Sequence, residues 1–194
     1  MITFRKTRDD YLALREADPS LMSPVERAAR FIYLNRFCFN GLYRTNRAGQ
    51  FNVPYGGDKA GKLPSREALR ACSALLAGTE LVSGDFADVL ERVQPGDFVY
   101  MDPPFSVASR RVFNEYDRSV FGLADLERLR GWLDLFDSLS IRFLVSYAEC
   151  EEAELLCRGY HSTRVSVRRH IAGFAGSRGR CNEVLISNLP VRES

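Results

Sequence analysis

The sequence predicts an α/β fold built on a parallel-rich sheet, and three observations predict it. From residue 80 onward, short apolar runs alternate with stretches of helical period. The longest of those stretches, residues 123–139, carries Leu126, Leu129, Leu133 and Phe136 at helical spacing, with Trp132 beside them. The last two strand-like runs follow one another without a helix between them, which predicts an antiparallel hairpin at the edge of an otherwise parallel arrangement.

Taken in order, residues 8–17 read as a helix. Ser23-Pro24-Val25-Glu26 combines a capping box with proline at the first helical position, so a second helix is expected from Pro24 to about Arg36. Residues 39–62 have too few apolar positions in period for a helix or a long strand. A connection of that length in a compact domain is expected to be functional. Residues 65–77 form a third helical pattern, with Leu69, Cys72, Leu75 and Leu76 on one face and Gly78 as its stop. Residues 80–83 then read as a strand, 86–93 as a short helix and 97–101 as a strand. After the long helix come a strand at 141–146, a helix at 149–157, and strands at 162–169 and 183–187.

With 194 residues, 45% hydrophobic and 27% charged, the chain suits one principal domain carrying a smaller insertion. It holds no apolar run of the roughly 18 residues that a membrane span needs, and no apolar stretch near its start suits a signal peptide. No membrane partner and a cytoplasmic location are the expectation. The five cysteines (Cys38, Cys72, Cys150, Cys157 and Cys181) are scattered, with no C-x-x-C pair, and there are only two histidines. That pattern suits reduced, structural thiols, with neither a disulfide framework nor a metal site.

The net charge of +2 conceals an uneven distribution. Arg158, Arg164, Arg168, Arg169, Arg178 and Arg180 fall in a stretch without Asp or Glu, and Arg27, Arg30, Arg36, Arg44 and Arg47 make a second basic group. Arginine forks onto phosphate or guanine where lysine offers a point charge. Nucleic acid is one partner that fits this charge; a solvated basic face is the other reading.

The chemistry is concentrated in Phe98-Val99-Tyr100-Met101-Asp102-Pro103-Pro104-Phe105, an apolar strand running into Asp-Pro-Pro-aromatic. The prolines stiffen the turn and bring no N–H, so their carbonyls serve only as acceptors. Asp102 adds a carboxylate and Phe105 a flat apolar face. An exocyclic amine such as adenine N6 needs acceptors for its two protons, so that its lone pair can face an incoming methyl group. Its ring needs a stacking surface once flipped from the duplex. A plain strand-ending turn is the alternative for the motif alone.

With Asp102-Pro103-Pro104-Phe105 the chain resembles the D12 class of DNA adenine-N6 methyltransferases, the Dam-type enzymes, in which the last position is more often tyrosine. A second match is Tyr33-Leu34-Asn35-Arg36, then Phe39-Asn40-Gly41-Leu42-Tyr43-Arg44 with Asn46, then Gly49, Phe51-Asn52-Val53-Pro54, which is similar to the family's recognition segment. Leu81 to Phe86, Arg168-Arg169 with Ile171, and Glu183 to Asn188 add weaker similarity. The resemblance spans about residues 23–188. It implies a Rossmann-like methyltransferase sheet with a small helical and loop insertion for DNA recognition. Residues 1–78 would then be the target-recognition region and 79–194 the catalytic α/β region.

The resemblance also implies S-adenosylmethionine as cofactor and double-stranded DNA as partner, with GATC as the site. Asp102, Pro103, Pro104 and Phe105 would be the catalytic set. Asp85, Phe86 and Asp102 would lie at the cofactor. Arg36, Phe39, Asn40, Leu42, Arg44, Asn46 and Pro54 would contact DNA: Arg44 reads a guanine, Phe39 wedges beside the flipped base, and Leu42 and Pro54 pack on a thymine methyl. Arg178, in the glycine-rich stretch 173–180, would clamp phosphate.

The family begins with a segment of the type F-x-G-G-K and a glycine-rich loop that hold the cofactor, and neither occurs here upstream of residue 40. The sheet is therefore expected to be incomplete at its N-terminal strands, with open edges. Three explanations stand open: a start further upstream, a missing N-terminal half supplied as a separate chain, or an inactive, truncated DNA-binding remnant. Rivals to the DNA adenine reading are a non-catalytic DNA-binding module and a methyltransferase for RNA or protein amides. The motif of the latter more often begins with Asn. Restriction-modification, repair and phage roles all stay open.

Overall fold

A computed structural model describes residues 6–46, 48–104, 121–168 and 180–190. They fall into two compact units, one up to Glu80 and the other from Leu81 onward.

The first unit is built on α1 (Arg8–Glu16) and α2 (Pro24–Phe37). The Thr7 hydroxyl accepts from the Asp10 N–H at the start of α1. The capping box expected at α2 is present: Glu26 N–H donates to Ser23 Oγ and Ser23 N–H donates to Glu26 Oε2. Each cap meets backbone donors that have no partner within the first helical turn, a contribution of about 1 kcal/mol. Arg30, on α2, closes the other end of α1, donating to the Leu14 and Arg15 carbonyls at 2.7 and 2.8 Å.

Residues 39–46 and 48–62 form single turns and isolated bridges, and they carry their own share of the core. Phe51 and Val53 bury against Tyr11, Tyr33, Leu34, Phe37 and Cys38. The Tyr11 hydroxyl donates to the Val53 carbonyl at 2.8 Å, which ties α1 to this segment. Burial, followed by Asp10 and Tyr55, pushes the Tyr33 phenol up to about 12; burial alone raises the Cys38 thiol.

Gly56 lies where the segment folds back on the end of α2. Its N–H donates to the Phe37 carbonyl at 2.8 Å. A Cβ there would stand 2.7 Å from the Cys38 carbonyl oxygen and 3.2 Å from that of Phe37. These are backbone atoms, so a methyl group can be admitted only by moving the chain. Gly56→Ala is therefore expected to cost about 1–2 kcal/mol, the scale of overpacking, read as a lowered midpoint in urea. An unchanged midpoint would show that the turn is softer than its contacts imply.

The third helix, α3 (Arg66–Leu75), is capped by Ser65, whose hydroxyl accepts from the Ala68 N–H. The four side chains expected on one face, Leu69, Cys72, Leu75 and Leu76, are all exposed, Leu75 by 83%. Cys72 is thus a free surface thiol rather than a buried structural one.

The second unit contains α4 (Phe86–Leu90), β1 (Phe98–Met101), α5 (Leu123–Ser138), β2 (Arg142–Ala148), α6 (Ala153–Cys157), β3 (His161–Arg168) and β4 (Arg180–Ser187). The strands form a mixed sheet in the order β1-β2-β4-β3. β1 and β2 are parallel, in register from Phe98 with Arg142 to Met101 with Val145. β4 is antiparallel to both β2 and β3. The expected hairpin is present, with β3 outermost and β4 inserted against β2.

Leu126, Leu129, Leu133 and Phe136 of α5 pack with Met101 of β1 and with Phe143, Val145 and Tyr147 of β2. Each such side chain contributes about 1.5–3 kcal/mol on full burial. This anchors the carboxyl ends of β1 and β2. Arg130 joins α5 to α6, donating to the Leu155 carbonyl at 3.2 Å and pairing with Asp134 at 2.7 Å.

Two expectations are corrected. Residues 80–83 form no strand: Leu81 is 76% exposed, and β1 is an edge of the sheet among the described residues. Strand preference needs a neighbouring strand to act on, and this run has none. The helix expected over 149–157 shortens to α6, because residues 149–152 bend and turn before it starts.

Candidate active site

β1 delivers Asp102 at its carboxyl end, where ligands of parallel α/β sheets sit. Met101 is buried against α5, which fixes the strand one residue before the carboxylate. The register that pairs Met101 with Val145 carries on to put Asp102 beside Ser146 of β2. The Ser146 hydroxyl donates to Asp102 Oδ1 at 2.9 Å, and the Tyr100 hydroxyl lies 3.0 Å from Ser146 Oγ. Pro103 and Pro104 follow, with no N–H to compete for an acceptor.

A cleft of about 660 Å³ opens beside these residues, within the usual range for small-molecule sites. Asp102, Pro103 and Pro104 line it together with Asp85, Phe86 and Val99. The structure thus brings into one cleft every described residue of the expected catalytic and cofactor sets. Phe105 lies outside the described residues.

Asp85 and Phe86 are held by local structure. Asp85 caps α4, accepting from the Ala87 N–H at 2.9 Å. Arg128 of α5 donates to both its carboxylate oxygens, at 2.6 and 3.2 Å. The same guanidinium lies 4.8 Å from the centre of the Phe86 ring and pairs with Asp125 at 3.0 Å. The Arg128 bonds, and after them the Ala87 N–H, hold the Asp85 carboxyl below the usual carboxylate range.

The sign of that shift fixes its pH dependence. A depressed carboxyl favours the folded arrangement above its unfolded value of about 4, and the benefit is lost as pH falls through the lower folded value. Hydrogen-exchange protection of the Ala87 amide is expected to hold at neutral pH and to fall below about pH 4. Protection that stays constant into acid would show that the cap does not depend on charge.

The positions expected to contact DNA all lie in the first unit, except Arg178, which is outside the described residues. Arg36, Phe39 and Asn40 border a small cleft at the end of α2. Asn40 adopts φ 55° and ψ 16°, a left-handed conformation that asparagine tolerates better than most residues. Leu42 packs against the first unit's core, and Pro54 is exposed while its carbonyl accepts from the Phe39 N–H at 2.8 Å. Arg44 is exposed, with its Nε donating to Asn52 Oδ1 at 2.8 Å. The Asn46 side chain holds its own turn, accepting from the Ala48 and Gln50 N–H groups at 3.0 Å each.

Sequence reasoning missed Ser146, Tyr100 and Arg128. Tyr100 stands in the motif strand itself, but Ser146 meets it and Asp102 only through the parallel register of β1 and β2, which spacing along the chain does not fix. Arg128 had no such signal, because its contacts with Asp85 and Phe86 reach across 43 and 42 positions to the start of α4.

Residues 2–171 match the family model described as D12 class N6 adenine-specific DNA methyltransferase. The chain is 35% identical over 189 residues to the type II methyltransferase M1.LlaDCHI of Lactococcus lactis subsp. cremoris, covering 94% of this chain and 66% of that protein. It is 32% identical to the DNA adenine methylase of Haemophilus influenzae, covering 92% of this chain and 63% of that one. It is also 32% identical to the DNA N-6-adenine-methyltransferase of Escherichia phage P1, where the match covers 92% of this chain and 24% of the relative. The chain therefore spans between about a quarter and about two thirds of the length of these relatives. The chain belongs to the D12 class of N6 adenine-specific DNA methyltransferases.

Proposed function

We propose that this chain orients an adenine amine for methyl transfer from S-adenosylmethionine to N6 in duplex DNA, with GATC as the target. The observation that carries this reading is the Asp102 carboxylate. It is held at the carboxyl end of β1 and shares one cleft with Pro103, Asp85 and Phe86.

The residues present suit the cofactor. Phe86 and Val99 offer apolar wall for an adenine ring, and Asp85 and Asp102 offer acceptors for hydroxyl and amino groups. S-adenosylmethionine, when bound, supplies an electrophilic methyl group. The protein's part is positioning. Asp102 and the Pro103 carbonyl accept the two N6 protons, which turns the nitrogen lone pair toward the methyl carbon. No side chain needs to form a covalent intermediate, and most of the acceleration comes from orientation. Phe105 would supply the stacking face for the flipped base.

For DNA, Arg44 reads a guanine in the major groove and Phe39 wedges beside the flipped base. Asn40 and Asn46 shape the backbone that presents them, as their turn geometry supports. Leu42 and Pro54 give apolar contact, and Arg36 and Arg178 contact phosphate.

The test is transfer of labelled methyl groups from S-adenosylmethionine to an unmethylated GATC duplex by the purified chain. Incorporation that disappears on pre-methylated GATC supports the reading. DNA binding without incorporation would refute catalysis by this chain alone.

A further inference from the structure

We infer that Ser146, backed by Tyr100, is a positioning residue that holds the Asp102 carboxylate in its working orientation. The inference rests on the role proposed for Asp102 above.

Ser146 stands out on its own strand. It lies in Leu144-Val145-Ser146-Tyr147, is 5% exposed, and follows a fully buried valine in the core. A buried hydroxyl is unfavourable unless it is hydrogen-bonded, so packing alone would favour an apolar side chain there. Its hydroxyl instead bridges two side chains from β1 and its end, Tyr100 and Asp102.

The direction of the protons follows from the chemistry of the groups. An ionised carboxylate only accepts, so the single Ser146 proton goes to Asp102 Oδ1. Ser146 Oγ then accepts from the Tyr100 phenol, whose oxygen lies 3.0 Å away. The chain runs Tyr100 O–H to Ser146 Oγ, then Ser146 O–H to Asp102, and each donor polarises the next bond. Among the described residues one lone pair of Oδ1 is used, and the remaining acceptor capacity of the carboxylate faces the cleft for an incoming amine.

The fold gives this bond a purpose. Asp102 is the first residue beyond β1, so it has no ladder of its own. Its neighbour Met101 is locked by the core, as is Val145 beside Ser146. Ser146 thus carries the rigidity of the β1–β2 pair to a side chain on the following turn. Tyr100, 58% exposed, makes its contact through the hydroxyl tip, so Tyr100→Phe removes one proton donor and little packing.

The full chain is assayed as wild type and as Ser146→Ala, Ser146→Thr, Tyr100→Phe and the Ser146→Ala/Tyr100→Phe double variant. Ser146→Ala is expected to lower kcat about 10–100-fold, the scale of a slightly misplaced group. KM for both substrates should stay within about twofold and the unfolding midpoint should stay in place. Tyr100→Phe should lower kcat about two- to fivefold. The double variant should be no worse than Ser146→Ala, because Tyr100 acts through the serine. Threonine, which keeps the hydroxyl, should restore most of kcat. Wild-type kcat in Ser146→Ala, or a double variant whose losses multiply, overturns the inference.

If the wild-type chain transfers no methyl group, the catalytic reading fails separately. Crystal structures of the wild type and Ser146→Ala then decide this inference. An Asp102 carboxylate turned from its wild-type orientation supports it, and one that has not moved overturns it.

Discussion

Asp102→Ala is expected to abolish methyl transfer, by on the order of a hundredfold or more, while DNA binding changes little. The size follows from what the carboxylate does. An amine nitrogen bearing two protons spreads its lone pair into the base ring unless acceptors draw those protons aside. Removing a preorganised polar group at a reacting centre costs about 10²–10³ in rate where it has been measured. The alanine variant should fold, because β1 is anchored by Met101 in the core rather than by the exposed Asp102. Asp102→Asn sharpens the test. It keeps the shape but turns one acceptor into a donor, which would face the amine protons with protons of its own, so it should be nearly as inactive. Transfer at more than about a tenth of the wild-type rate in either variant would take Asp102 out of the reacting centre.

The parts of the fold that read well from sequence are those fixed by local chemistry. Ser23 and Glu26 specify the start of α2 within four residues, and the capping box is present as written. The leucine spacing of α5 is likewise local, and its buried positions are the ones the period selects. Residues 80–83 failed for the opposite reason: a strand is a relation between two segments, and strand-forming side chains supply half of it. The exposed apolar face of α3 shows the same limit, since amphipathic period tells which face is apolar and not whether anything covers it. In the site, Asp102 and Pro103 were legible because their spacing is contiguous. Ser146 was not, because it lies 44 positions away and meets Asp102 only through the parallel register. Asn46 was legible as a residue of interest, yet the visible work of its side chain is to hold the turn at 46–50.

Arg44→Ala is expected to remove discrimination at one base pair of the target, at a cost of about 1–3 kcal/mol, the worth of one bidentate arginine–guanine contact. The local structure gives the Arg44 side chain a defined position. Asn52 accepts from Arg44 Nε at 2.8 Å, across the bridge that pairs Thr45 with Phe51. One edge of the guanidinium is thereby held to the segment, and less rotamer freedom is lost when the end of the fork meets a base. Asn52→Ala should therefore give a smaller loss of the same kind, by loosening the holder and sparing the reader. Lysine at position 44 separates charge from geometry. Arg44→Lys keeps the attraction to phosphate but not the planar fork, so it should bind random duplex like the wild type and still fail to distinguish the altered site. Affinities measured on the GATC duplex, on duplexes changed at one base pair and on random sequence, all at one salt concentration, read the three variants together. A uniform loss across all duplexes, recovered by lysine, would make Arg44 a phosphate contact, and base reading would have to come from elsewhere in the chain.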